Sequence, residues 1–263
     1  MSRYFIQFSY DGTAYHGWQV QPNAVSVQQK LNEALSTLLR TPIETTGAGR
    51  TDTGVHAAKM TAHFDTTLFD EWKDSEQKEE LHQRLHQLTD KLNRLLPPDI
   101  AVHSVLPVKD KAHARFDATS RTYHYHIYTG KNPFLRHYAM RLHYRPDFDA
   151  MNAAAAQLLA VDDFTSFSKL HTDVKTNICR VSRAQWVEIA PGHYRFEITA
   201  DRFLRNMVRA VVGTLLEVGR GRMSQSQFAN VIHSKSRAAA GESVPGNALS
   251  LVDITYPGDI FME

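Results

Sequence analysis

Gly47-Ala48-Gly49-Arg50-Thr51-Asp52-Thr53-Gly54-Val55-His56-Ala57 separates two stretches of alternating apolar and polar residues, and its reading decides the fold. Alternation at period two predicts strands near 43–48 and 57–64, which makes the run a β–β connection. Its glycines let the backbone turn sharply or approach another molecule closely. Asp52 has Arg50 two residues away and no acidic neighbour. Such a carboxylate is expected to stay ionised, as a nucleophile or base requires. A surface hairpin turn with an incidental ion pair fits the same spacing equally well.

Outward from this run the elements fall into order. A strand at 3–9 comes first. Ser26-Val27-Gln28-Gln29 resembles a capping box, and Val27, Leu31, Ala34, Leu35 and Leu38 form a helical stripe ended by Thr41-Pro42. After the two central strands, a charged segment leads into a helix carrying Leu81, Leu85, Leu88, Leu92 and Leu95, stopped by Pro97-Pro98. A strand at 100–107 closes the half. The order β-α-β-β-α-β is ferredoxin-like.

The rest of the chain repeats that order. A strand is predicted at 121–129 and an alanine-rich helix at 149–160, capped by Asp147 or Asp149. Strands at 180–189 and 193–200 are joined by Pro191-Gly192. A helix from Phe203 to Val218 is closed by Gly219 and Gly221, followed by a short helix near 224–234 and a strand near 249–256. The expected fold is therefore α+β. Two ferredoxin-like halves, 1–108 and 109–263, join into one long, mainly antiparallel sheet with helices on one face.

With 42% hydrophobic and 22% charged residues in 263, the composition is that of an ordinary globular protein. A single cysteine, Cys179, excludes an internal disulfide framework and metal sites built from cysteine pairs. Met1-Ser2-Arg3-Tyr4-Phe5 enters the first strand at once, and no apolar run approaches the roughly 18 residues of a membrane helix. A cytoplasmic protein without a membrane partner is the expectation. The net charge of +2 hides an uneven distribution: residues 66–100 hold eight acids against five Lys/Arg, and 101–145 hold two against eight. The second block is also rich in tyrosine, and basic residues interleaved with aromatics suit a polyanion whose bases can be stacked. Aromatics facing a core and cations on a solvated face are the competing reading.

Asp201-Arg202-Phe203-Leu204-Arg205-Asn206-Met207-Val208-Arg209 is the second concentrated segment, and it opens the last long predicted helix. Arg202, Arg205 and Arg209 recur at three- and four-residue spacing, so they are expected to share one face. Arg209 runs directly into Ala210-Val211-Val212-Gly213; at such a partly buried place an arginine needs an anionic partner. A solvated charged face is the alternative.

Gly49-Arg50-Thr51-Asp52-Thr53-Gly54-Val55-His56-Ala57 resembles the catalytic motif of the TruA family of tRNA pseudouridine synthases. Further resemblances follow in family order. They are Tyr10-Asp11-Gly12-Thr13-Ala14-Tyr15-His16-Gly17-Trp18-Gln19, Ser26-Val27-Gln28, and His113-Ala114-Arg115-Phe116-Asp117-Ala118-Thr119-Ser120-Arg121-Thr122-Tyr123. Asp163-Phe164-Thr165-Ser166-Phe167, Phe203 to Arg209 and Val212 to Gly219 complete the set.

The resemblance implies isomerisation of uridine to pseudouridine at positions 38, 39 and 40 of the tRNA anticodon stem-loop. The C1′–N1 bond breaks, the uracil turns and a C1′–C5 bond forms. No cofactor and no metal is implied, because nothing is oxidised or hydrolysed. Asp52 becomes the catalytic carboxylate. It could attack C1′, add to uracil C6 or remove the C2′ proton. The resemblance assigns Tyr123 to the uridine pocket, with Tyr125 as a fallback on the same strand face, and Arg209 as the partner of Asp52, with Arg205 competing. Arg50 would fill the space of the extruded base or grip the RNA backbone. Gln19 and His56 could equally be structural. A homodimer is implied, with one tRNA touching both subunits.

Two features depart from the family pattern. Thr53 stands where alanine is usual, and the segment 68–80 is longer and more acidic than expected, so it should face away from RNA. Ser243 to Leu249 follows the late pocket-wall motif only loosely, which leaves Leu249 without a firm role. The alternatives are a non-catalytic RNA-binding protein of ferredoxin-like fold and a metal-dependent hydrolase. The first leaves Asp52 and Arg209 without purpose; the second lacks an HExxH or paired-carboxylate motif among the scattered histidines.

Overall fold

The computed structural model describes residues 1–73, 77–169 and 176–262. Six α-helices and nine strands of a mixed, mostly antiparallel sheet make the described fold α+β. The chain forms two compact units, Met1–Thr119 with Val252–Glu263, and Ser120–Leu251. Among the described residues no helix is long and apolar enough to cross a membrane.

In the first unit, β1 (Ser2–Tyr10) is central. Helix α1 (Val27–Leu39), β2 (Thr46–Gly47), β3 (His56–Thr66), α2 (Asp70–Lys73), α3 (Lys78–Leu95) and β4 (Ile100–Pro107) follow. Antiparallel pairing puts β1 between β4 and β3, and β2 pairs with β3. Tyr4, Phe5, Ile6 and Phe8 of β1 are fully buried, as a strand covered on both faces requires. Helix α1 buries Leu31, Ala34, Leu35 and Leu39, and α3 buries Leu81, Leu85, Leu88 and Leu92, close to the expected stripes. Leu38 and Leu95 fall outside them; the buried stripes end on Leu39 and Leu96. Of the acidic segment 68–80, residues 74–76 lie outside the described residues.

Strand β2 is two residues long, not six. Side chains of α1 take the backbone groups of 43–45 that a neighbouring strand would have used. Ser36 Oγ accepts the Ile43 N–H at 2.9 Å, Asn32 Oδ1 accepts the Thr45 N–H at 3.0 Å, and Gln28 Nε2 donates to the Thr45 carbonyl at 2.6 Å. At the start of α1, Ser26 Oγ caps the Gln29 N–H, but Gln29 turns its amide to Glu33, so the reciprocal half of the expected capping box is missing. A full box forms instead at Ser224 and Gln227.

The second unit contains β5 (Ser120–Thr129), β6 (Met140–Leu142), α4 (Phe148–Ala156), β7 (Val181–Ala190), β8 (His193–Ala200), α5 (Met207–Gly219) and α6 (Gln225–Ser234). Strand β8 lies between β5 and β7. The short β6, which no sequence signal indicated, pairs in parallel with β5. Asp147 caps α4. Almost every residue of α5 is buried, as an apolar helix in a core must be. Strand β9 (Leu249–Thr255) carries the chain from this unit back to the first.

Each unit protects one outer strand in the same way. The Asn93 side chain of α3 accepts the Val102 N–H at 2.7 Å and donates to the Val102 carbonyl at 2.8 Å. The Asn152 side chain of α4 does the same to Trp186 at 2.7 and 3.2 Å. An amide matches a peptide donor for donor, so it blocks strand pairing at that residue.

Candidate active site

The Asp52 loop is built by the end of β2, the start of β3 and the segment after β1. Val55 N–H bonds to the Asp52 carbonyl at 3.1 Å, closing a four-residue turn with Gly54 at φ 75°. A positive angle at the third position is what a type II turn demands, hence glycine there. Within that turn Asp52 is half-buried and Thr53 is exposed; Arg50, two residues before Asp52, is also exposed.

The segment Tyr10–Trp18 holds this turn from behind. Trp18 N–H donates to the Thr51 carbonyl at 3.3 Å, and Gly54 N–H to the Tyr15 carbonyl at 3.3 Å. Tyr10 Oη and Thr51 Oγ1 share a hydrogen bond of 2.8 Å. His56 Nδ1 accepts the Gly12 N–H at 3.0 Å, with Asp11 Oδ1 also 3.0 Å away. A Cβ on Gly12 would collide with the Val55 carbonyl, and one on Gly17 with the Thr51 carbonyl. Gly17 also sits at φ 88°. The two segments noticed separately in the sequence are thus one assembly. His56 is buried in that assembly, whereas Gln19 is exposed. Tyr10, Gly12 and Gly17 were not singled out by the sequence reading. Their signal was present only as a second motif with no visible connection to the first.

In the second unit, Tyr123 of β5 is half-buried, with its ring edge-on to Phe203 at 5.0 Å and 84°. Tyr125 is fully buried; its hydroxyl donates to the Pro245 carbonyl at 3.1 Å, and burial pushes its pKa upward. The nearby Arg209 acts on it in the opposite sense. The fallback tyrosine is therefore a core residue with a committed hydroxyl. Leu249 is buried as well.

The three arginines do not share a helix face. Asn206 adopts φ 66°, and its amide Nδ2 bonds to Ser243 Oγ at 2.5 Å, so α5 starts at Met207 rather than Phe203. Arg202 and Arg205 precede the helix, and Arg205 is exposed. Arg209 lies in the first turn, half-buried, with Nε donating to the Val244 carbonyl at 2.7 Å. Asparagine tolerates the left-handed region, which lets it interrupt a run that apolar periodicity alone would continue. Among the described residues no group of three or more His, Cys, Asp or Glu is placed to hold a metal ion.

A half-buried carboxylate on a braced turn and an arginine fixed at the first turn of a buried helix are the chemical groups that this α+β scaffold presents. The family model for tRNA pseudouridine synthase matches residues 6–117 and 154–257, and the chain belongs to that family. It is 56% identical to tRNA pseudouridine synthase A of Bacteroides thetaiotaomicron over 265 aligned positions, covering all of this chain and 94% of the relative. It is 51% identical to the enzyme of that name from Porphyromonas gingivalis over the whole of both chains. With the Bacillus subtilis enzyme of that name it is 39% identical, over 94% of this chain and 96% of the relative.

Proposed function

We propose that Asp52 is the catalytic carboxylate with which this tRNA pseudouridine synthase isomerises uridine in the anticodon stem-loop, at positions 38, 39 and 40. The reaction breaks C1′–N1 and makes C1′–C5; the proton lost from C5 is balanced by one gained at N1. Attack at C1′, addition at C6 and removal of the C2′ proton all require an ionised carboxylate held against the nucleoside. The observation that carries the assignment is the bracing of the turn around Asp52 by Tyr10, Tyr15 and Trp18. A carboxylate held this way is placed in advance, so the substrate need not order it.

Tyr123 is proposed to stack on the flipped uracil, which must leave the helical stack at a cost of a few kcal/mol. Arg209 is proposed to hold Asp52 ionised and oriented. Arg205 and Arg50, both exposed, are proposed to contact the RNA. The basic block at 109–145 would supply phosphate contacts. The finer fold reading, two ferredoxin-like halves joined into one long sheet with helices on one face, belongs to the same proposal. It is supported by the element order, which is β-α-β-β-α-β in each half once the short α2, β6 and α6 are set aside. Cytoplasmic location, a homodimer and reaction without a cofactor are also proposed.

The test is release of tritium from tRNA carrying [5-³H]uridine, without added metal or cofactor. Asp52→Asn is expected to abolish release while tRNA still binds. An active Asp52→Asn enzyme would refute the assignment. Arg209→Ala is expected to lower the rate more than the affinity; the opposite pattern would make it a phosphate contact.

A further inference from the structure

Tyr10 ends β1, the central strand of its unit, where it faces Ala57 of β3 and Ile100 of β4. Its ring is 4% exposed and stacks on Phe8 at 6.1 Å and 29°. The ring is thus anchored on both sides by paired backbone, and its hydroxyl is a fixed point at the sheet end. That hydroxyl bonds to Thr51 Oγ1 at 2.8 Å. Thr51 directly precedes Asp52, and its carbonyl is held by Trp18 N–H at 3.3 Å. The Tyr10–Thr51 bond is short and comes from a side chain, while the flanking backbone bonds of the turn are both 3.3 Å. Phenylalanine would fill the same core space but would lose the hydrogen bond to Thr51. A buried tyrosine hydroxyl needs a partner, and here that partner belongs to the turn bearing the carboxylate.

We infer that Tyr10 is a positioning residue for the reaction, setting the direction of Asp52 through the hydroxyl of Thr51. This rests on the assignment of Asp52 as the catalytic carboxylate. Tyr10 is only 4% exposed, so it acts from within the fold, through the turn. Its contribution is a hydrogen bond that reduces the freedom of the turn. Loss of that bond enlarges the range of carboxylate positions, while the buried ring stays in place.

The experiment measures kcat and KM for tritium release with Tyr10→Phe, Thr51→Val, Thr51→Ser, the Tyr10→Phe/Thr51→Val double variant and Asp52→Asn. Each is assayed well below its own unfolding temperature. Tyr10→Phe and Thr51→Val are each expected to lower kcat on the order of tenfold, the equivalent of one hydrogen bond. KM should stay within about twofold, since the altered hydroxyl of Tyr10 is buried behind the turn. The double variant should be no slower than the slower single one, because both remove the same bond. Thr51→Ser keeps the hydroxyl and should restore most of the rate. Unchanged kcat in Tyr10→Phe, a raised KM with kcat intact, or additive losses in the double variant would each overturn the inference. If Asp52→Asn is active, the catalytic assignment itself fails, an outcome distinct from the other three.

Discussion

Gly17→Ala tests how tightly the Tyr10–Trp18 segment governs the Asp52 turn. Two penalties arise from the structure. Gly17 sits at φ 88°, where an alanine costs about 1–3 kcal/mol of stability. The new methyl would also collide with the Thr51 carbonyl oxygen and lie 3.2 Å from the Asp52 carbonyl carbon. Both neighbours are backbone, so no flexible side chain can yield, and the turn must move on the order of 1 Å. With Asp52 as the proposed catalytic carboxylate, a displacement of that size costs about 100-fold in rate, or about 2.7 kcal/mol of transition-state stabilisation. The expected variant is folded, binds tRNA nearly normally and turns over about 100-fold more slowly. Gly221→Ala supplies the comparison: its φ is 72°, and a Cβ there meets nothing within 4 Å. It should lose only the cost of the backbone angle, about 1–3 kcal/mol, and keep its rate within about twofold. Urea midpoints, filter binding and single-turnover tritium release separate the three quantities. A folded Gly17→Ala enzyme with kcat within about twofold of the parent would refute the reasoning.

Asn152→Ala should destabilise the protein by roughly 2–4 kcal/mol, because both the N–H and the carbonyl of Trp186 lose their partner; denaturant midpoints check this. The exposed edge should also promote concentration-dependent assembly, visible by light scattering. Stability should fall as pH drops from about 6.5 toward 4. Burial, helped by Arg3, pushes His63 down to about 4, and burial pushes His126 to about 4 as well. Both histidines are neutral when folded and take up protons more readily when unfolded, so their contribution is complete above the unfolded value and lost below it. His63→Gln should flatten the urea-midpoint profile across that window; an unchanged slope would count against it.

Much of the scaffold was legible in the sequence because it follows from periodicity. The apolar stripes of α1 and α3, the Asp147 cap and the strands around Pro191-Gly192 all appear within a few residues of expectation. Local competition for hydrogen bonds accounts for the misses. Gln28, Asn32 and Ser36 shortened β2 by taking its backbone groups, and Asn206 delayed α5 by adopting a left-handed angle. Neither event leaves a mark on hydropathy. Burial depth was equally invisible: Tyr123 and Tyr125 share a period-two face, yet only Tyr125 is sealed in the core.

By itself the sequence determined which residues are candidates for the chemistry, since side-chain identity and motif order need no coordinates. It marked Asp52, Arg50, Tyr123, Arg205 and Arg209, and it gave the order of strands and helices. Only the tertiary structure decided that Tyr10–Trp18 stands behind the Asp52 turn, and that Arg205 lies outside the helix that holds Arg209. Contacts between segments some forty residues apart depend on how β1 and β3 pair and how the loops at their ends close. That closure is fixed by packing and by backbone hydrogen bonds that no linear pattern encodes.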